Sequence, residues 1–532
     1  MGDHKKTKNK LIMKDQKFKK ELENFLKKSF KDSLKKDPKT ISVSCLQFGD
    51  TGKGKFVDLF ANWAEIIARG TGGDNAGHTV ICNGESKVFH LIPSGITHDC
   101  SGKINVIGSG TAVYPKTLVE EIKLLFSQGM SVNNLMIALN AKLIMPYHIV
   151  MDRISESNAG KAKIVTTGKG IGPAYSDFIA RRGLIINDLF NPSVFREKLV
   201  KNLAHVSRIL STIDRDEIKK IMNHEHLESG FYYHEQKFGN DSHFFEAGAI
   251  ISKYLEYAKF LLPYIADTDS FMKNNLGKKN ILLEGAQGAL LDVDYGTYPY
   301  VTSSNCTAAG LAKGVGLKQS DIDVSFGIIK GFYMTRVGKG PFPTEIGGSK
   351  SEKWCNGTGT REQEELSSLI NLNIEDEFLQ GVAIRRVGAE FGATTGRLRR
   401  VGWIDLPLLR HALESGSSNI ILTKLDILTG VDVIKVCHSY RYDGPGYQYG
   451  KIKLEKGNIL QKAIVIPEVL EHCSQIYESF SGWKDDISKV KDASNLPAQF
   501  NVILDYIFSN IDAKARIISV GPSPEETILL GE

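Results

Sequence analysis

Asp50 sits inside a glycine-rich, lysine-bearing turn, Gln47-Phe48-Gly49-Asp50-Thr51-Gly52-Lys53-Gly54-Lys55. Glycines let the backbone approach a ligand, amide N–H groups point inward, and a following helix N-terminus favours negative charge. The turn therefore reads as a phosphate cradle. It is not the ordinary G-x-x-x-x-G-K-[ST] loop: it is shorter, and Phe56 stands where a Mg2+-binding hydroxyl would follow the lysine. A carboxylate beside phosphates repels them unless a cation or a transferable proton lies between. The pattern points to metal-assisted phosphoryl chemistry with Asp50 as a participant.

Other loops offer matching chemistry. Gly70-Thr71-Gly72-Gly73-Asp74-Asn75-Ala76-Gly77-His78-Thr79 supplies a candidate acid in His78 and a candidate metal-binding carbonyl in Gly77. Thr166-Thr167-Gly168-Lys169-Gly170-Ile171-Gly172-Pro173, followed by Arg181-Arg182, suits a second phosphate, or is a polar turn with a solvated basic patch. Gln287, in Glu284-Gly285-Ala286-Gln287-Gly288, carries the donor and acceptor needed to read a purine edge. Arg397, Arg399 and Arg400 follow the small-residue turn Phe391–Gly396 and could fork onto a dicarboxylate or a nucleotide phosphate. In Thr423-Lys424-Leu425-Asp426 the aspartate can accept from guanine's ring N–H and exocyclic amine, which favours GTP over ATP. Ser519-Val520-Gly521-Pro522 is small enough to close over a base.

These turns need elements to hold them. Ile41, Val43, Cys45, Leu46 and Phe48 read as a strand, and Phe56, Val57, Leu59, Phe60, Trp63 and Ile67 recur at helical spacing. Further strands are expected at 104–107, 135–139, 281–283, 324–329, 420–423, 433–437 and 516–520. Helices are expected at 116–128, 195–212, 246–262, 406–415 and 499–510. The alternation predicts an α/β protein with a largely parallel sheet, whose strand carboxyl ends collect the loops around the ligand. Residues 214–241 and 347–376 read as surface excursions, the second as a mobile loop.

The formal net charge is +6, but residues 1–39 hold fourteen lysines and six acids, so the remainder carries −2. Phe18, Leu22, Phe25, Leu26, Phe30 and Leu34 could form one apolar stripe on a lysine-rich helix, a surface- or partner-binding pattern. The plainer reading, favoured because acids are interspersed and arginine is absent, is a flexible, solvated, weakly helical extension. The missing arginine argues against a mitochondrial transit segment, and Lys6 breaks the myristoylation pattern. Seven cysteines without a C-x-x-C pair fit a reducing, cytoplasmic setting and no zinc site. No apolar run approaches the ~20 residues of a membrane span. A nearly neutral core with few stacking aromatics in the tail speaks against nucleic-acid binding.

Taken in order, the strings 47–55, 73–79, 166–182, 284–305, 335–345, 390–400, 423–426 and 519–522 resemble the adenylosuccinate synthetase family over roughly residues 41–530. The resemblance implies a single large domain from residue 40 to 532, with the two excursions as insertions. It also implies a GTP-dependent ligase that joins IMP and L-aspartate through 6-phosphoryl-IMP. Asp50 would take the N1 proton, His78 would assist as proton donor, and Gln287 would be the third catalytic residue. Mg2+ would be held by Asp50 and Gly77. GTP would contact Gly49, Asp50, Thr51, Gly52, Lys53, Gly54, Lys55, Gly77, His78, Thr79 and Arg399, with guanine between Lys424, Leu425, Asp426 and Ser519, Val520, Gly521. IMP would contact Asp50, Thr51, Gly52, Lys53, Asn75, Ala76, Gly77, His78, Thr167, Gln287, Thr302 and Arg397. Ala393, Thr394, Thr395, Gly396, Arg397, Leu398 and Arg399 would form the aspartate loop. Arg181 would reach the IMP site of a neighbouring subunit, which implies a homodimer.

The chain departs from the family pattern at Phe48, where tryptophan is usual, at Thr51, where glutamate is usual, and at Asp74, where histidine or asparagine is common. Asp74 would add a negative charge near the metal. The rival reading, a GTP-binding switch without ligase activity, explains the phosphate turn and 423–426 but not Gln287 or the arginine cluster.

Overall fold

The computed structural model describes residues 2–82, 85–98, 102–160, 164, 166–224, 244–357, 366, 368–392 and 396–530. Ten strands form the central sheet: β1 (Thr40–Cys45), β2 (Ile66–Arg69), β3 (Ile104–Ile107), β4 (Leu135–Ala138), β5 (Ile265–Ala266), β6 (Ile281–Glu284), β7 (Val324–Lys330), β8 (Asn419–Thr423), β9 (Lys514–Ser519) and β10 (Thr527–Leu529). Their order is β10-β9-β8-β7-β1-β6-β2-β3-β4-β5. Every neighbouring pair is parallel except β9–β10. β1, β2 and β6 are buried at every residue, as strands covered on both faces must be. From β1 the chain crosses to β2 on one side, and from β6 it crosses back past β1 to β7 on the other, so the crevice beyond the carboxyl end of β1 is where a ligand belongs.

The elements read from periodicity are present within about two residues at most ends, as expected of frayed boundaries. The helix after the phosphate turn is shorter than its apolar spacing implies: it ends at Ala61, and Ile67 lies in β2. The strand at Val433–Tyr442 is longer than expected. A second, smaller sheet was not anticipated. Tyr333–Arg336 pairs antiparallel with Arg400–Asp405, which runs parallel to Val433–Tyr442, itself antiparallel to Cys473–Ser481. One apolar cluster, with Ile329, Phe332, Trp403, Ile420 and Phe500 among its members, joins this sheet to β7 and β8. Two positioning consequences follow. Arg399 emerges at the start of a fully buried strand, and the 347–376 excursion is not simply a loop, since it opens with a helix at Gly348–Cys355.

The N-terminal extension departs from its expected solvation. Residues Gly2–Leu34 form one helix, α1. Leu22, Phe25, Leu26 and Phe30 are almost wholly buried, in one cluster with Ile41 and Val43 of β1, Phe326 of β7, and Phe56 and Phe60 of α2 (Lys53–Ala61). Phe30 meets Phe326 edge-on at 5.9 Å, Phe60 stacks on Phe326 at 5.1 Å, and the Arg516 guanidinium lies 5.1 Å from the Phe30 ring. The apolar stripe thus has a partner within its own chain. Composition misled because Lys19, Lys20, Lys27, Lys28 and Lys31 lie outside that stripe, with their charged heads in water.

Candidate active site

α2 begins at the phosphate turn. Its N-cap, Gly52, has φ +73°, and Asp50 before it has φ +53°. Among non-glycine described residues, positive φ recurs at Lys35, Arg181, Gln287, Ala389 and Lys424. Such backbone costs of order 1–3 kcal/mol per residue and persists where surrounding structure enforces it, most often at functional sites. Of these, Asp50, Gln287 and Lys424 follow the carboxyl ends of β1, β6 and β8. Close packing also governs the turn. A Cβ on Gly288 would lie 2.3 Å from the Gln47 carbonyl and 2.7 Å from the Gly49 nitrogen, so only glycine lets the β6 loop lie against the β1 loop.

Two cavities meet at this turn and share Asp50, Lys53, Gly77 and His78. The first is lined also by Gly49, Asn75, Ala76, Thr167, Gln287, Thr302, Arg397 and Arg399. The second is lined by Thr51, Gly52, Gly54, Lys55, Lys424, Asp426, Ser519 and Gly521. The expected IMP set therefore gathers in one cavity, apart from Thr51, Gly52 and Arg181, and the expected GTP set in the other, apart from Gly49, Thr79, Arg399, Leu425 and Val520. Leu425 and Val520 are fully buried. Leu398 is buried and lines neither cavity. Ala393, Thr394 and Thr395 lie outside the described residues, as does the Thr79 side chain.

Asp50 is 39% accessible at the foot of the cleft, and Arg399 Nε donates to its Oδ2 at 2.5 Å. Desolvation alone would raise this carboxyl. The Arg399 guanidinium, with Lys330 and Lys53 behind it, overrides that and holds it at about 2. His78 is buried, and its Nδ1 donates to Glu284 Oε1. Glu284, fully buried at the end of β6, also accepts from the Ser94 amide at 2.9 Å and hydroxyl at 2.8 Å. That arrangement fixes the proton on Nδ1 and leaves Nε2 for chemistry. Burial lowers the His78 pKa, while Glu284 opposes the shift.

Lys53 Nζ donates to the Gln287 carbonyl at 2.7 Å, tying the β1 loop to the β6 loop. Gln287 Nε2 donates to Asn75 Oδ1 at 3.3 Å, and its buried Oε1 has no partner, an acceptor aimed at the first cavity. Lys55 is committed elsewhere than the phosphate turn: its Nζ donates to Ser519 Oγ at 2.7 Å, Gly521 O at 2.8 Å and Glu526 O at 3.0 Å. Burial lowers its pKa to about 7. Thr423 Oγ1 donates to the Thr51 carbonyl at 2.9 Å, so Thr51 serves through its backbone.

Asp74 points away from both cavities. It is 3% exposed and accepts from Thr117 Oγ1 at 3.1 Å, and burial raises its pKa. At the other departure, Phe48, the ring lies 4.1 Å from the Arg336 guanidinium.

Several residues carry no advance sign in the sequence. Glu390 is buried and accepts from Lys330, from Tyr333 Oη at 2.6 Å and from Lys424 Nζ at 2.9 Å. Asp152, within the helix Pro146–Asn158, accepts from Thr166 Oγ1 and the Gly170 amide, both at 2.9 Å, and shapes the third glycine loop. Glu284 was legible in principle, as a lone carboxylate ending an apolar run.

The adenylosuccinate synthetase family model matches residues 42–528. The chain belongs to the adenylosuccinate synthetase family. It is 39% identical over 486 residues to adenylosuccinate synthetase of Halothermothrix orenii, covering 91% of this chain and 96% of that one. It is 40% identical over 486 residues to the Clostridium botulinum enzyme, covering 91% and 97%. A solved structure of fully ligated adenylosuccinate synthetase from Plasmodium falciparum superposes with a TM-score of 0.73 at 30% identity, covering 92% of this chain and all of that one. The chain is accordingly a GTP-dependent ligase acting on IMP and L-aspartate. Residues 1–41 and 529–532 lie outside the matched segment. Among the described residues no helix is long and apolar enough to cross a membrane.

Proposed function

We propose that the reaction runs in two steps at the junction of the two cavities, the observation that carries this reading being that they share Asp50 and His78. IMP occupies the Gln287 side and GTP the Asp426 side. Asp50 accepts the N1 proton of IMP, O6 attacks the γ-phosphorus of GTP, and GDP leaves. The amino group of aspartate then attacks C6, and phosphate departs with the former O6. A carbonyl oxygen is a poor leaving group until phosphorylated, so binding energy is spent making it a good one. His78, braced by Glu284, donates from Nε2 to the developing charge; an arriving phosphate would supply the second anion that favours its protonated form.

Asp50 and the Gly77 carbonyl are hard oxygen donors bordering both cavities, and among the described residues no His, Cys, Asp or Glu cluster competes with them. That donor set fits Mg2+, which keeps few protein ligands and takes the rest from phosphate and water. Bound there, Mg2+ would supply charge neutralisation at the transferred phosphoryl group. Arg397 and Arg399 fork onto the aspartate carboxylates, and Arg397 already reaches the third loop through Thr166 O at 3.1 Å.

A second copy of the chain completes the IMP site through Arg181. That side chain is exposed and lines neither cavity of its own chain, and its neighbours Phe178 and Ile179 are 37% and 76% exposed. Cysteines 45, 306, 355, 437 and 473 are buried thiols outside any disulfide, which supports a cytoplasmic setting. The test is an assay for adenylosuccinate absorbance with IMP, GTP, Mg2+ and aspartate. Product is expected only with all four, with ATP a poor replacement; product without aspartate or without GTP would overturn the reading.

A further inference from the structure

Arg385 is fully buried and touches neither cavity, yet it is bonded to the substrate loop. It lies in the helix Glu377–Val387. Its Nε donates to the Arg399 carbonyl at 2.6 Å, and its Nη2 donates to Cys355 Sγ at 3.1 Å. Cys355 is the last residue of the helix Gly348–Cys355, which opens the excursion that departs from the familiar core. Its thiol also faces the Arg399 carbonyl, at 3.9 Å. The Arg399 amide is held from the other side, donating to the Glu390 carbonyl at 3.1 Å, while the Glu390 amide donates to the Arg385 carbonyl at 2.8 Å. Both peptide groups flanking the Arg399 Cα are thus pinned.

The excursion's helix is docked firmly enough to serve as a brace. Trp354 meets Phe378 edge-on at 5.7 Å, the Lys350 ammonium lies 4.3 Å from the Phe378 ring, and Glu352 pairs with Arg400 at 3.4 Å. Gly347 approaches the Phe378 backbone so closely that a Cβ there would lie 2.6 Å from the Phe378 Cα.

We propose that Arg385 is a positioning residue for substrate carboxylate recognition, with Cys355 delivered by the 348–355 helix to hold it in place. It acts through Arg399, whose side chain spans the cleft to Asp50, and so rests on the reading of Arg399 as an aspartate-binding group. A guanidinium has a fixed fork, so Arg385 can hold the Arg399 carbonyl and the thiol together; lysine at this place can reach only one. Burying so large a cation without a substrate contact is explained by what it fixes: a displacement of about 1 Å in Arg399 separates a bidentate clamp from a loose one.

The experiment is steady-state kinetics of the full chain and of Arg385→Met, Arg385→Lys and Cys355→Val, with melting temperature and circular dichroism for each. Arg385→Met is expected to raise KM for aspartate on the order of 10–100-fold while KM for IMP stays within about twofold. Arg385→Lys recovers part of the loss, and Cys355→Val shifts the same constant in the same direction by less. A folded Arg385→Met with unchanged KM for aspartate overturns the proposal, as does a parallel rise in all three substrate constants. Should Arg385→Met fail to fold, the other two variants decide: no aspartate-selective shift in either overturns it. Aspartate-dependent turnover by the unsubstituted chain is the control that isolates the two ideas. Its absence removes the functional reading itself, whereas its presence with indifferent variants removes only the role of Arg385.

Discussion

The Arg399 guanidinium occupies the flank of the Asp50 carboxylate, Nε to Oδ2 at 2.5 Å, where the proposed chemistry needs a cation of a different kind. A group held at about 2 is reliably ionised but is a feeble base while the guanidinium stays. Substrate carboxylate or phosphate competing for Arg399 would release Asp50 when the reactants are present. The same carboxylate thus has two cationic partners at different stages, which keeps an empty site from presenting an unpaired anion.

Asp50→Asn is expected to lower kcat on the order of 10²–10⁴-fold or more, the range for loss of a positioned general base, while GTP still binds. Titration calorimetry with GTP beside the turnover assay separates these effects. A variant retaining turnover would remove Asp50 from the role of base.

Glu284 gives a second kinetic prediction. Replacing it by glutamine keeps the volume but offers the His78 Nδ1 an amide that can donate as well as accept. The Nδ1-protonated tautomer loses its enforcement and the imidazolium loses its counter-charge. kcat is expected to fall on the order of 10²–10⁴-fold with the KM values little changed. An unaltered kcat would show that the buried pair serves packing alone.

Removing residues 2–34 should destabilise the protein rather than free a tail. Leu22, Phe25, Leu26 and Phe30 cover Ile41, Val43, Phe56, Phe60 and Phe326, so truncation exposes a continuous apolar face. Leu26→Ala alone is expected to cost about 2–5 kcal/mol, the range for deleting a buried leucine side chain. Denaturant unfolding of the full chain measures it. A truncated chain that melts with the intact one would return the extension to the solvated reading.

Much of this arrangement is legible in residues and much is not, and the division has a physical cause. Strands such as Ile104–Ile107 and helices such as Pro115–Ser127 announce themselves because burial imposes a period. The loops announce themselves because a phosphate cradle demands glycine at particular points. Gly52 and Gly288 are readable for that reason. Glu390, Asp152 and Arg385 are not, because a buried charge is recognised by its partners, and those partners lie 14 to 60 positions away. The α1 stripe failed for a third reason: its six apolar residues were visible, but nothing local states whether a stripe faces solvent, a partner or its own sheet.

Asp405 supplies a pH prediction. It is buried, accepts from the Leu408 amide at 3.0 Å and from Tyr440 Oη at 2.5 Å, and burial raises its pKa to about 7. The folded state therefore holds this proton where the unfolded chain, near 3.8, has lost it. Its contribution is fully present below the unfolded value and is lost as pH rises toward 7, a change of a few kcal/mol at about 1.4 kcal/mol per unit. Asp405→Asn should flatten the stability profile between about pH 4 and pH 7 relative to the unsubstituted chain. Equal slopes in that window would mean that Asp405 is ionised throughout.

Arg181 distinguishes a shared site from a self-contained one. Exposed beside Ile179 and held at φ +62°, it is presented outward rather than into its own cleft. If a second copy receives it, Arg181→Ala and Asp50→Asn each inactivate both sites of their own dimer. A hybrid of the two concentrates both defects in one site and leaves the other intact. Equal mixing with free subunit exchange makes half the dimers hybrids, so about a quarter of full activity should return, as two-fold symmetry requires. Activity that stays at the level of the separate variants, once exchange has been shown by mass spectrometry of tagged chains, would mean that Arg181 serves only its own subunit.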